Sequence, residues 1–278
     1  MFGVMGTSAA FAQAACAKKA QEVGNIIRLI GVKEDPIIDQ LYCSGEITVE
    51  SIKNGEAVIQ TYSDLSSTQV SIQADANTEV VIKGDVTAIV GGQYQGWGHV
   101  DSVMAKQLVF HNNAITSISG FSGKDNPDGT SIVESLDVIG CTALTSLKCY
   151  GCTGLTALDL STNTALTSLR CHGCTGLTAL DLSTNTALTS LECYGCTGLT
   201  ALDLSTNTAL TSLNCSDCTG LTKIKYHATN SDVSTAIAGA ITDATAADGT
   251  VYTDSAGAYY STIADAATAK GWTIEQLQ

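Results

Sequence analysis

LTSLRCHGCTG (residues 166–176) runs directly into LTALDLSTNTA (177–187), and this pair decides the fold. The second segment recurs unchanged at 155–165 and 199–209. The first recurs as LTSLKCYGCTG (144–154), LTSLECYGCTG (188–198) and LTSLNCSDCTG (210–220). Each unit is eleven residues, so the pair repeats every 22. Degenerate units, VESLDVIGCTA (133–143) and LTKIKYHATNS (221–231), extend the array to nine units from Val133 to Ser231. A short fixed period is the mark of stacked repeats, because one unit buries its apolar side only against its neighbours.

Within a unit the apolar residues fall at positions 1, 4 and 6, as in Leu155, Leu158 and Leu160. Positions 4 and 6 share one side of a short strand, and positions 5 and 7 point to the other. Stacked coils then lie ~4.8 Å apart, joined by parallel strand hydrogen bonds. Position 9 carries Asn163, Asn185 and Asn207 in one half and a cysteine in the other. An inward asparagine at a bend satisfies buried peptide groups that the turning chain leaves unpaired.

The pattern LxxLxLxxN resembles the leucine-rich repeat family, and the nesting of two eleven-residue halves resembles a variant found in bacterial proteins. The match covers 133–231; a looser form, Leu108, Phe110, Asn113, Ile115 and Ile118, precedes it. The resemblance implies a right-handed solenoid of parallel β-strands with a role in recognition, and no catalytic residue.

Five segments are expected. Residues 1–36 form an N-terminal helix or anchor, with 8–23 helical up to Gly24, since that stretch is alanine-rich and free of glycine and proline. The AFAQA stretch resembles a signal-peptide cleavage site, but no Lys or Arg precedes Lys18, which favours a retained docking helix. Residues 37–89 alternate β-branched and polar residues, and Asn54-Gly55 predicts a hairpin, making a β-rich cap over the first coil. Residues 90–132 read as irregular first coils and 133–231 as the solenoid. Residues 232–278 read as a small α/β C-terminal cap, with helices over 232–244 and 255–271 and strands at GTVYT and WTIEQL.

Four CxxC pairs recur at the repeat period: Cys149/Cys152, Cys171/Cys174, Cys193/Cys196 and Cys215/Cys218. Isolated pairs of this spacing suggest zinc or redox chemistry. Here both cysteines occupy inward positions, so a structural ladder of free thiols is expected alongside the asparagines, with metal or redox use as a remote alternative. Asp137, Asp159, Asp181 and Asp203 share position 5 of the other half. Calcium between coils is the alternative there to a solvated acidic stripe, which is preferred.

The copies of the cysteine half differ only at positions 5, 7 and 8. Position 5 runs Lys148, Arg170, Glu192, Asn214, and position 7 runs Tyr150, His172, Tyr194, Ser216. Strand alternation places both columns on one outward face, and their chemistry is that of recognition surfaces. Drift at exposed sites is the competing explanation.

Composition narrows the function. With 27 acidic against 13 basic side chains the net charge is −14, a poor match for nucleic acid. No apolar run approaches the ~18 residues of a membrane span. His99, His111, His172 and His227 show no metalloprotease spacing, and no phosphate-binding loop is present. Threonine columns suggest ice binding, but the outward strand pairs are Asp–Ser and Lys/Arg/Glu–Tyr/His rather than Thr–Thr. The expectation is a non-enzymatic module without cofactor, binding a protein or glycan at a bacterial cell surface. A bacteriophage virion component, docked by its N-terminal helix, is the alternative.

Overall fold

The computed structural model describes residues 25–32, 34–91, 105–121 and 133–227, together with the strands Tyr94–Gln95, Gly98–His99, Thr245–Ala247, Val251–Thr253, Tyr259–Tyr260 and Thr273–Leu277. Strands, turns and bends make up this part, and no helix occurs among the described residues.

Two sheets grow out of an antiparallel N-terminal region and turn parallel as they enter the repeats. One has the spatial order Thr68–Ser71, Ile37–Cys43, Val86–Val90, Ser117–Ser119, Ser146–Lys148, Ser168–Arg170, Ser190–Glu192 and Ser212–Asn214. Its first three strands are antiparallel, and from Val86–Val90 onward every neighbour is parallel. Across the cysteine halves the register is one full period, with Leu147 opposite Leu169, Leu191 and Leu213 in turn. The other sheet runs Ser135–Asp137, Gln107–His111, Ile26–Ile30, Glu79–Lys83, Glu46–Lys53 and Glu56–Ser63, antiparallel except for its first pair. On the same side of the array as that first pair's repeat unit, Ala201–Leu204, Lys223–His227 and Thr273–Leu277 form a parallel trio.

Burial follows the leucine positions. Leu155, Leu160, Leu166, Leu169, Leu177, Leu182, Leu188 and Leu191 are all buried, and they join Ile27, Leu29, Ile89, Phe110 and Ile118 in one continuous core. Each such side chain contributes ~1.5–3 kcal/mol on transfer from water, against the entropy of fixing a chain with many turns.

The corners differ between the two halves. In the cysteine half position 8 takes left-handed backbone, with φ of 70° at Gly151, 71° at Gly173, 68° at Gly195 and 55° at Asp217. That requirement admits glycine freely and aspartate at some cost, which explains the limited variation at this position. At position 11, an added Cβ on Gly198 would sit 2.6 Å from the Thr175 carbonyl oxygen. The Leu-Asp-Leu half carries Ala187 and Ala209 at its position 11.

Four sequence expectations change. The N-terminal segment was placed at 1–36, but Ile26–Ile30 is an interior strand of the second sheet, with Ile27 and Leu29 buried and Arg28 half-buried. Five strand residues suffice, because this strand is held by neighbours on both sides. In the looser repeat the buried asparagine is Asn112, not Asn113. Its Nδ2 donates to the Gly84 carbonyl and its Oδ1 accepts from Ala114 N–H, so the bend comes one residue early. The segment 90–132 contains two ordered strands, Gln107–His111 and Ser117–Ser119, that carry the parallel register into the array. Finally, 255–271 is not one helix: Tyr259–Tyr260 pairs antiparallel with Val251–Thr253, as adjacent aromatic residues favour. The expected helices at 8–23 and 232–244 lie outside the described residues. At Asn54-Gly55 the φ angles are 55° and 76°, and Lys53 faces Glu56 across a two-residue turn.

Candidate recognition face

The four short strands of the cysteine halves set one column: Lys148, Arg170, Glu192 and Asn214 are direct cross-strand neighbours. The second column lies just past the strands and keeps the same register. Gly151 N–H donates to the His172 carbonyl at 2.7 Å, Gly173 N–H to Tyr194 and Gly195 N–H to Ser216, each at 2.8 Å. Positions 5 and 7 thus recur coil by coil on one surface. Arg170 and Asn214 are exposed, and Lys148, Tyr150, His172, Glu192, Tyr194 and Ser216 are half-buried.

The aromatic members of the second column touch each other. Tyr150 and His172 stack with ring centroids 4.8 Å apart and planes within 1°. His172 and Tyr194 stack at 4.3 Å and 8°. Aromatic pairs of this kind contribute ~0.5–1.5 kcal/mol beyond the area they bury. Both faces of the His172 ring are therefore covered. Beside it, Arg170 forms an ion pair with Glu192 at 3.2 Å, and Glu192 also lies 3.9 Å from His172 Nδ1. At the last coil Asn214 Oδ1 accepts from the Ser216 N–H at 3.2 Å and its hydroxyl at 2.8 Å.

Inside, position 9 behaves alike in both halves. Asn163, Asn185 and Asn207 donate through Nδ2 to the carbonyls of Val138, Leu160 and Leu182, each at 3.1 Å. The thiols of Cys174, Cys196 and Cys218 donate to the carbonyls of Cys149, Cys171 and Cys193, also at 3.1 Å. In every case the acceptor is the position-6 residue one coil back. Cys141 and Cys152 do the same toward Phe110 and Phe121. The asparagines make a second bond, as from Asn185 to the Asn163 carbonyl at 2.9 Å, while their Oδ1 atoms are buried without a hydrogen-bond partner among the described residues.

All ten cysteines among the described residues are buried free thiols. Burial pushes the Cys141 thiol up to about 11 and Cys215 to about 12. Hydrogen bonding with the Cys174, Cys196 and Cys218 side chains, which stabilises the protonated form, and then burial, hold the Cys149, Cys171 and Cys193 thiols well above the usual range. Among the described residues no group of three or more His, Cys, Asp or Glu side chains is arranged to hold a metal ion.

The aspartate column has a local task. Oδ1 of Asp137, Asp159, Asp181 and Asp203 accepts the backbone N–H two residues on, at 2.9 Å each. Such an Asx turn shapes the exit from position 5. The Ser183 N–H and hydroxyl hold Asp181 below the ordinary carboxylate range. His111 meets Asp137 at 3.2 Å, and Lys225 meets Asp203 at 3.7 Å.

Sequence reasoning missed a threonine ladder. Thr116, Thr145, Thr167, Thr189 and Thr211 each donate the hydroxyl to the carbonyl of the threonine one coil back (Thr87 for the first), at 3.0–3.2 Å. Its signal was a constant threonine at position 2 of every cysteine half, which reads as plain surface polarity until strand register is known.

No family model matches the chain, and no curated protein matches it. Among solved structures it is similar to the functional domain of InlJ from Listeria monocytogenes, described as including a cysteine ladder. Identity is 22%, with a TM-score of 0.23, over 55% of this chain and 47% of that one. The chain thus spans about half of that structure's length. The coil arrangement rests on this chain's own register and hydrogen bonds.

Proposed function

We propose that the chain is a right-handed leucine-rich repeat solenoid of the nested eleven-plus-eleven type. In this reading it is a non-enzymatic recognition module that binds a protein or glycan at the outer surface of a bacterium. The contact face is the double column Lys148, Arg170, Glu192, Asn214 and Tyr150, His172, Tyr194, Ser216.

One observation carries the reading. Two of the three positions that vary among otherwise identical copies are brought into two adjacent, solvent-reaching columns by the strand register, while every inward position is kept. The face joins aromatic edges to a charged pair, the combination recognition surfaces use. The one aliphatic hydroxyl in the column, Ser216, donates to Asn214 rather than to a base, which suits binding better than nucleophilic chemistry.

The test is an array of proteins and glycans probed with the full chain and with a variant carrying Tyr150→Ala, Arg170→Ala, His172→Ala and Tyr194→Ala. The proposal requires at least one captured partner and at least tenfold weaker capture by the variant, with its strand signal in circular dichroism retained. Equal capture would overturn it.

A further inference from the structure

The ring column stops one rung short. The backbone of the last cysteine half keeps the register, since Gly195 N–H reaches the Ser216 carbonyl just as Gly173 N–H reaches Tyr194. Yet Ser216 stands where its predecessors carry Tyr150, His172 and Tyr194. Rings in the column are 4.3–4.8 Å apart. A side chain as short as serine does not continue the stack and leaves a step beside Tyr194, whose stacked neighbour among the described residues is His172.

The rim of this step is polar. Asn214 Oδ1 is committed to Ser216, which leaves the Asn214 Nδ2 as a donor. Ser216 Oγ retains lone pairs to accept. Asp217 is exposed, and its left-handed φ of 55° sets it at the bend next to Ser216. An aromatic face with an amide donor and a hydroxyl acceptor beside it is what a pyranose needs: C–H bonds against the ring and hydroxyls on the rim. An aromatic side chain in the same place would cover these polar groups without partnering them. Asp217, and a net charge of −14, disfavour anionic sugars.

We infer that the face of Tyr194 over Ser216 is a subsite for a neutral hexopyranose ring. This rests on the recognition face proposed above and names the ligand chemistry of its last coil.

The experiment titrates the full chain with methyl glucopyranoside, methyl galactopyranoside and methyl mannopyranoside, and separately with N-acetyl-tyrosinamide, by saturation-transfer NMR. At least one pyranoside should bind saturably in the millimolar range expected of a single ring, with saturation strongest on its ring C–H protons. Ser216→Tyr fills the step with a fourth ring and should weaken that binding at least tenfold. Tyr194→Ser removes the platform and should do the same, should Ser216→Tyr fail to fold. No saturable pyranoside binding, binding of the tyrosine amide alone, or unchanged pyranoside binding in the folded variants would each overturn the subsite. These failures leave the array test untouched: a partner lost with the fourfold variant but indifferent to Ser216→Tyr keeps the face and removes the sugar subsite.

Discussion

The thiol of Cys174 donates to the carbonyl oxygen of Cys149, 3.1 Å away and one coil earlier. Asn185 makes the equivalent bond to Leu160 at the same distance. Cysteine and asparagine alternate at position 9 because both deliver a donor to the position-6 carbonyl. Asparagine adds a second donated bond but carries a buried oxygen without a partner among the described residues. Cysteine supplies the one bond in less volume.

Removing these donors should destabilise the chain in a set order. Asn185→Ala removes two donated bonds, to the Leu160 and Asn163 carbonyls, and costs most. Cys174→Ala removes one, at ~1–3 kcal/mol, and Asn185→Cys falls between Asn185→Ala and the wild type because it restores the bond to Leu160. Urea unfolding midpoints check the order, and equal midpoints for Asn185→Ala and Asn185→Cys would contradict it.

Gly198→Ala should destabilise by ~1–3 kcal/mol. The new Cβ would meet the Thr175 and Leu177 carbonyl oxygens at 2.6 and 3.1 Å, and backbone cannot step aside as a side chain can. The reciprocal change in the other half, Ala187→Gly, adds only unfolded-state freedom, ~0.5–1 kcal/mol. Paired thermal melts distinguish the two.

Stability should fall in alkaline solution. Cys141 keeps its proton to about 11 and Cys215 to about 12 in the fold, whereas an unfolded thiol releases it near ~8.5. The folded state therefore binds protons more tightly across that window. The contribution is complete below the unfolded value and is lost as pH rises through the folded ones. Melting temperatures from pH 8 to 11 should decline, and Cys215→Ser should decline less steeply. Parallel curves would count against buried thiols.

His172→Ala should remove two stacked contacts at once, the Tyr150 and Tyr194 faces at 4.8 and 4.3 Å. The expected loss is about 1–3 kcal/mol from two aromatic pairs, with weakened tyrosine bands in near-ultraviolet circular dichroism. His172→Phe should retain most of the stability. If both variants matched the wild type, the rings would not be in contact in solution.

The strictly repeated part was legible because each copy meets the same surroundings above and below. Leu158, Leu180 and Leu202 read as inward from one strand rule, and the pairing of Lys148 with Arg170 followed from the period alone. What escaped lies where contacts join segments of different sequence. The buried Asn112, expected at Asn113, depends on a bend closed by Gly84, in the turn between Glu79–Lys83 and Val86–Val90. Ile26–Ile30 became interior only because Gln107–His111 and Glu79–Lys83 flank it. Ring stacking was implicit in a Tyr, His, Tyr column at 22-residue spacing, but its near-parallel planes needed coordinates.

Among the described residues the repeats bury their sulfur and amide groups and hold the rings and charges of 148–194 at the half-exposed or exposed surface. Alkylation of the native protein by iodoacetamide, mapped by mass spectrometry, tests that division most directly. Cys141, Cys149, Cys152, Cys171, Cys174, Cys193, Cys196, Cys215 and Cys218 should remain unmodified until denaturant is added, and then react together. Ready modification of these thiols in the native chain would contradict it.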